Sequence, residues 1–195
     1  MGGSGNAPPP ELTVVLPAYN EAARLEASLA SIRLYLDSFE GSTELIVVDD
    51  GSTDGTADLA RRLLDGSPDA RVLELAENCG KGAAVRAGML AAHGRYVLFS
   101  DVDLSTPIRD EAGLRAALAA GADVAIGSRA EANSQITRRQ NIVRESMGRI
   151  FNLFVRLLRL SDIHDTQCGF KMLTLDAARK IFPRTRVQGF AFDVE

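Results

Sequence analysis

The sequence predicts an α/β fold: one domain with a mostly parallel central sheet flanked by helices. Three observations carry that expectation. Short β-branched or apolar runs alternate with segments of helical periodicity along much of the chain. The runs are nearly unbroken in apolar residues, as strands buried on both faces are. Polar clusters follow the runs, and in such sheets ligands sit beyond the carboxyl ends of the strands.

Each element has its own justification. Residues 1–11, opening Met1-Gly-Gly-Ser-Gly-Asn-Ala-Pro-Pro-Pro10, are expected to be a flexible tail, and residues 12–195 a single domain. Thr13-Val-Val-Leu16 is a strand. Asn20 is expected to cap the next helix, where Leu25, Leu29, Ile32 and Leu36 share a face. Glu44-Leu-Ile-Val-Val48 is a strand leading into Asp49-Asp50-Gly51-Ser52. Thr53 to Leu64 is helical, with Ser52 or Thr53 as its cap. Arg71–Leu75 is a strand, Lys81–Ala92 a helix, Tyr96–Phe99 a strand ending on Ser100-Asp101. Asp110–Ala119 is helical and Asp123–Ile126 a fifth strand. The chain stops at Phe192-Asp-Val-Glu195 without a cap or polar tail, as a truncated or unusually compact form of something longer would.

Bulk properties exclude several classes. The 195 residues carry a net charge of −4, and a nucleic-acid binder is more often basic. Two cysteines, Cys79 and Cys168, are too few for a disulfide framework and imply a reducing compartment. No stretch reaches the ~18 uninterrupted apolar residues of a membrane span, and no signal segment opens the chain. Asn6 stands where a myristoylation signal needs Ser or Thr. The expectation is a cytoplasmic protein, soluble or peripherally attached to a membrane.

Three phosphate or metal motifs fail on inspection. Gly80-Lys81 is not a P-loop, because Gly82 replaces the Ser or Thr and Leu75 the first Gly. Val85 takes the third small position of a dinucleotide fingerprint. Asp50-Gly-Ser-Thr-Asp54-Gly55 imitates an EF-hand start, but position twelve is Arg61 rather than a bidentate Glu. Lys81 to Gly88 is expected to give a tight turn and a close helix–sheet approach, with Lys81 a candidate phosphate ligand. Neither His93 nor His164 lies in a nucleophile context, and no Cys/His zinc spacing occurs. His93 reads as part of a helix C-terminal cap.

Asp101-Val-Asp103 is more informative. A strand points alternate side chains to one face, so these carboxylates are expected to converge and hold Mg²⁺ or Mn²⁺ while leaving room for diphosphate oxygens. Alone the triplet is weak. Its position after an apolar strand, with Asp49-Asp50 after another, strengthens it. Gln140 to Leu160 places Val143, Met147, Ile150, Phe151, Phe154, Val155 and Leu158 near one helical face, with Arg144, Arg149, Arg156 and Arg159 interspersed. Two readings stay open: a core helix with a basic outer side, or a helix at an anionic membrane surface.

The motifs together resemble the family 2 glycosyltransferases. The matching residues are Val15-Leu-Pro-Ala-Tyr-Asn-Glu21, Val47-Val-Asp-Asp-Gly-Ser-Thr-Asp-Gly-Thr56, Asn78 with Gly80-Lys-Gly82, and Asp101-Val-Asp103. Gly127-Ser-Arg129, Asp165-Thr-Gln-Cys-Gly-Phe-Lys171 and Ala191-Phe-Asp-Val-Glu195 are similar to the dolichyl-phosphate β-glucosyltransferase branch, near the dolichyl-phosphate mannose synthases. The resemblance implies the nucleotide-diphospho-sugar transferase (GT-A, Rossmann-like) fold over residues 12 to 195. It also implies roles. Pro17, Ala18, Tyr19, Glu21, Asp50, Gly80 and Lys81 would hold the nucleotide-sugar, with Asp49 supporting the loop. Asp101 and Asp103 would bind the metal and diphosphate. Arg129, Arg144 and Lys171 would serve the phosphates and the acceptor.

The implied reaction is inverting transfer of a sugar to a polyprenyl or dolichyl phosphate. UDP-glucose is the favoured donor and GDP-mannose the next. Relatives of this branch carry membrane spans, so the lipid would be met through the 140–160 helix or a segment outside the sequence. A phosphate acceptor is largely a dianion near neutral pH and needs no strong base, only cations such as Arg129, Arg138, Arg139, Arg144 and Lys171. A hydroxyl acceptor would need a carboxylate base, for which Asp165 or Asp193 is the candidate. A non-catalytic nucleotide-sugar-binding module is the remaining alternative.

Overall fold

A computed structural model describes residues 8–127, 168–189 and 192 of the chain. Within them a six-stranded sheet runs in the order β3-β2-β1-β4-β6-β5. The strands are β1 (Leu12–Ala18), β2 (Thr43–Asp49), β3 (Ala70–Glu74), β4 (Tyr96–Ser100), β5 (Val124–Ile126) and β6 (Phe170–Thr174). β1 pairs in parallel with β2 and β4, and β2 with β3. β6 is antiparallel to both β4 and β5. The helices are α1 (Ala22–Asp37), α2 (Thr56–Leu64), α3 (Lys81–Ala91), α4 (Glu111–Ala119) and α5 (Leu175–Ile181), with a 3-10 turn over Ile108–Asp110.

Both faces of the sheet are covered, as the apolar strands require. Val14, Leu16, Leu45, Val47, Leu98, Phe170 and Met172 face Leu25, Leu29, Ile32, Ala60 and Leu118 of α1, α2 and α4. Val15, Ile46, Val48, Val97, Phe99 and Leu173 face Ala84, Val85 and Met89 of α3 and Ala177 and Ala178 of α5. The expected close approach of α3 is present at Gly88. A Cβ there would sit 2.3 Å from Val15 Cγ1 and 2.9 Å from Val48 Cγ2.

The five expected strands form with ends shifted by up to two residues. The sixth, β6, was hidden inside the Gly-Phe-Lys motif. Its apolar Phe170-Lys-Met-Leu stretch is short, and Lys171 breaks it where a both-faces-buried strand should be apolar. Thr174 caps α5 by accepting from the Ala177 N–H at 3.2 Å.

Two expected caps are corrected. Asn20 does not cap α1, and the Glu21 side chain, at the cap position, makes no cap bond to it. Asn20 has φ +53, and its Oδ1 accepts instead from the Thr53 N–H at 2.9 Å. α2 begins at Thr56 rather than Thr53, with Gly55 before it in the left-handed region. Neither Ser52 nor Thr53 caps it; Asp54 Oδ1 accepts from the Thr56 N–H at 3.0 Å.

The amino-terminal edge of the sheet holds a polar knot that the sequence did not announce. Glu44 is buried there. One oxygen faces Arg71 and lies 2.9 Å from His93 Nδ1. The other accepts from Thr13 Oγ1 at 2.7 Å and from the His93 N–H at 2.9 Å. Burial pushes the Glu44 carboxyl up, but bonds from His93, Thr13 and Arg71 outweigh it and hold it below its usual range. His93 thus anchors a carboxylate rather than capping a helix.

Candidate active site

The opposite edge gathers the loops that the sequence singled out. β1, β2 and β4 run parallel and all end there. β6 runs the other way, so the Cys168-Gly169 segment before it arrives at the same edge. Gly127 follows β5 and donates to the Phe170 carbonyl at 2.9 Å.

The first two loops are stitched together by side chains. Beside the Asn20–Thr53 bond, the Asn20 N–H donates to Ser52 Oγ at 2.9 Å. The Glu21 N–H donates to Thr56 Oγ1 at 2.9 Å, and the Ala22 N–H to Asp54 Oδ2 at 3.1 Å. The α1 amides are therefore capped from the loop after β2, across more than thirty residues. Its bond to Thr56 first, then burial in opposition and further backbone bonds, leaves the Asp54 carboxyl below its usual range.

Pro17 and Ala18 belong to β1, with Ala18 buried. Tyr19 follows, 45% exposed at the edge, with a ring of the kind that stacks on a base. Glu21 pairs with Arg24 at 2.8 Å. Asp49 is buried; its Oδ2 accepts from the Ser52 N–H at 2.9 Å, and its Oδ1 has no hydrogen-bond partner among the described residues. Asp50 is buried as well. Its Oδ1 and Oδ2 accept from the Cys79 and Gly80 N–H groups at 2.8 and 2.9 Å. That carboxylate fixes the loop leading to Lys81, a task that residue type and spacing did not reveal.

Gly80 takes φ +95, and a Cβ on it would lie 2.6 Å from the Gln188 carbonyl oxygen. The same oxygen accepts from the Gly82 and Ala83 N–H groups at 2.7 and 3.3 Å. The Gly82 and Ala83 amides of α3 are thus taken by the chain's own strap, and the Lys81 side chain extends from this end of the helix. Lys81 Nζ lies 2.7 Å from Asp101 Oδ1.

Asp101 and Asp103 occupy a turn rather than an extension of β4, so their placement does not come from strand alternation. Val102 between them is buried, and Ser28 Oγ donates to its carbonyl. Leu104 has φ +45 and donates back to the Asp101 carbonyl at 3.1 Å. A positive φ at a bulky residue is a strained conformation that the surroundings must hold. Asp103 Oδ1 accepts from the Ser105 N–H at 3.0 Å and from its hydroxyl at 2.8 Å. The Asp101 N–H donates to the Gly169 carbonyl at 2.9 Å. A Cβ on Gly169 would sit 1.9 Å from Asp101 Oδ2.

The donor set suits a hard divalent cation, since Asp101 already holds a cationic nitrogen and a second carboxylate lies two residues on. Among the described residues no group of three or more His, Cys, Asp or Glu forms, so Asp101 and Asp103 are what the described residues would offer such a shell. Diphosphate oxygens and water usually complete it for Mg²⁺.

Lys171 is 8% exposed, with Nζ 5.4 Å from the Phe99 ring centre and 5.5 Å from that of Phe192. It lies between two aromatic faces on the α3 side of the sheet. Arg129, Arg138, Arg139, Arg144, Asp165, Asp193 and the 140–160 segment lie outside the described residues. Among the described residues no helix is long and apolar enough to cross a membrane.

Gly169, Asp54 and the Gln188 carbonyl were missed by sequence reasoning. Gly169 and Asp54 stand in motifs quoted from the sequence, but nothing local assigns them these contacts.

Comparison with known proteins agrees with this arrangement. The family model described as Glycosyl transferase family 2 matches residues 13–182. The chain is 41% identical to the dolichyl-phosphate β-glucosyltransferase of Drosophila melanogaster, over 97% of this chain and 62% of that protein. It is 36% identical to that of Dictyostelium discoideum, over 94% of this chain and 60% of that protein. It therefore spans about three fifths of the length of these relatives. Among solved structures it is similar to glucosyl-3-phosphoglycerate synthase from Mycobacterium tuberculosis in complex with Mn²⁺, UDP-glucose and phosphoglyceric acid. The TM-score is 0.65 and the identity 25%, covering 95% of this chain and 63% of that one. A GT-A sheet with the acidic loops at its open edge, matched by the family model over most of its length, makes this chain a member of glycosyl transferase family 2.

Proposed function

We propose that this chain carries the donor half of an inverting glucosyltransferase that moves glucose from UDP-glucose to a polyprenyl or dolichyl phosphate. One observation supports it above the others: Lys81 and Asp101 meet at 2.7 Å at the edge where Asp50, Tyr19 and Asp103 also stand. The dolichyl-phosphate β-glucosyltransferases among its relatives favour glucose and a lipid phosphate. GDP-mannose is the second donor to test.

In this reading Tyr19, Pro17, Ala18, Glu21 and the Asp49-Asp50 loop receive the nucleoside. Asp101 and Asp103 hold Mg²⁺ or Mn²⁺, which when bound offsets charge on the departing nucleoside diphosphate. The acceptor phosphate oxygen attacks the anomeric carbon from the face opposite the diphosphate, the glycosidic C–O bond breaks, and configuration inverts. The dianionic nucleophile needs no strong base. Arg129 and Arg144 lower the repulsion between anionic acceptor and anionic donor. Lys171, held between Phe99 and Phe192, adds positive charge beneath the site. The reaction fits the cytoplasmic side of a membrane, reached peripherally through the 140–160 segment.

The Mycobacterium tuberculosis synthase was solved with phosphoglyceric acid beside its donor, which keeps a small phosphorylated acid as a second acceptor class. The test is transfer from labelled UDP-glucose or GDP-mannose to a short polyprenyl phosphate in detergent, with Mn²⁺ or with chelator. Glucosyl-lipid formed from UDP-glucose only when metal is present is the expected result. Consumption of donor with phosphoglycerate and none with the lipid would overturn the lipid assignment. UDP binding with no transfer to any acceptor would favour a non-catalytic module.

A further inference from the structure

Lys81 touches the carboxylate that the reading above gives to the metal, and the surroundings decide which oxygen is in play. Asp101 is pinned through its backbone, by the Gly169 carbonyl on one side and the Leu104 N–H on the other. Its Oδ2 fills the space above Gly169, where a Cβ would come within 1.9 Å. Its Oδ1, 2.7 Å from that same position, carries Lys81 Nζ at 2.7 Å. A metal entering at Oδ1 would therefore meet the ammonium already there.

The two partners differ in freedom. The start of α3 is fixed by the Gln188 carbonyl and by the Gly80 carbonyl, which accepts from Ala83 and Ala84. The Lys81 stem above that fixed start has four rotatable carbons and can swing without backbone motion. The pair is only partly exposed, at 20% for Lys81 and 34% for Asp101, so breaking it with nothing in exchange is unfavourable.

Resting on the metal-dependent reading, we propose that Lys81 is a placeholder for the divalent cation: its ammonium holds Asp101 Oδ1 in the ligand-free protein and moves to the diphosphate when the metal takes the carboxylate. Gln188 takes the Gly82 and Ala83 amides, and the Lys81 ammonium is the charged group that this end of the helix sends to a diphosphate. Metal and nucleotide then help each other bind, because the nucleotide gives the displaced ammonium a new partner. Such coupling is reciprocal between the two ligands.

Mn²⁺ binding to the full chain, read by the loss of the free-ion paramagnetic resonance signal, tests this without turnover. Lys81→Met and Lys81→Gln should bind Mn²⁺ alone about 3- to 10-fold more tightly than wild type, the worth of one partly exposed ion pair. The gain should persist in 0.5 M salt, where longer-range charge effects are screened. The tightening of Mn²⁺ binding by added UDP should shrink in both variants, and Lys81→Arg should behave as wild type. If wild type binds Mn²⁺ with UDP but removing the lysine leaves Mn²⁺-alone affinity unchanged, weaker, or raised only at low salt, the placeholder role is overturned and the metal reading stands. If wild type binds no Mn²⁺ even with UDP, both are overturned.

Discussion

Asp101 leans into a space that exists only because residue 169 has no side chain. Its Oδ2 lies 1.9 Å from where a Gly169 Cβ would be, and the Gly169 carbonyl accepts its N–H. Gly169→Ala must therefore displace the carboxylate. The alanine methyl meets a short side chain whose backbone is held, so Asp101 has little room to yield. We expect Mn²⁺ affinity in the presence of UDP to fall at least about tenfold, with a stability loss of about 1–3 kcal/mol. Metal titration and urea unfolding of the same variant check the two numbers separately.

Asp50 gives a second prediction. Both its oxygens accept backbone N–H groups of the loop before α3. Asp50→Asn keeps the shape but turns an amide donor toward one of those N–H groups. Hydrogen bonds to a charged group contribute about 1.5–3 kcal/mol, so one lost bond should cost about that much. The loop that delivers Lys81 would loosen with it. Donor KM should rise more than kcat falls; an unchanged KM alongside normal stability would remove Asp50 from this role.

At Gly88 two magnitudes compete. Alanine is better than glycine inside a helix by about 1 kcal/mol. Its methyl would meet Val15 and Val48, two strand side chains with little χ1 freedom, at 2.3 and 2.9 Å. Overpacking of that kind costs about 1–3 kcal/mol and should win. Gly88→Ala is expected to lower the urea midpoint, while Gly113→Ala on α4, where a Cβ meets nothing within 4 Å, should raise it slightly.

Glu44 links stability to acid. Its folded-state pKa lies below its ordinary value near ~4.3, so the unfolded chain binds the proton more readily. The Glu44 contribution is fully present above ~4.3 and is lost as pH falls through the lower folded value. Urea unfolding between pH 6 and 3 should show stability declining at the acid end. Glu44→Gln should be less stable at pH 6 and flatter below it. A parallel decline in both proteins would assign the acid sensitivity elsewhere.

What the sequence made legible follows from the range of the forces involved. β1, β2 and β4 were readable because burial on both faces demands continuous apolar runs, a local property. The acidic loops were readable because parallel strands share one carboxyl edge. Asn20 misled because it has the chemistry of a cap, yet Ser52 and Thr53 take it from thirty residues away. Asp50 and Gly169 were obscure for the same reason: their partners are backbone groups of distant segments, and every residue but proline offers an N–H. β6 was hidden by Lys171, which neighbouring aromatic rings surround and which local hydropathy scores as a break.

The strand order has a consequence for how the molecule is made. β5 pairs with β6 and lies outside it in the sheet, although it is synthesised more than forty residues earlier. As the chain leaves the ribosome, β1 to β4 can assemble at once, while β5 must wait beside an empty place. The Gly169 and Gln188 carbonyls that hold Asp101 and α3 arrive in the same late stretch. Pairing across such sequence distances is the slow kind. The acidic pocket is thus finished by a stretch that emerges well after β1 to β4, so a nascent chain cut short before it would hold paired strands but no Gly169 or Gln188 contact.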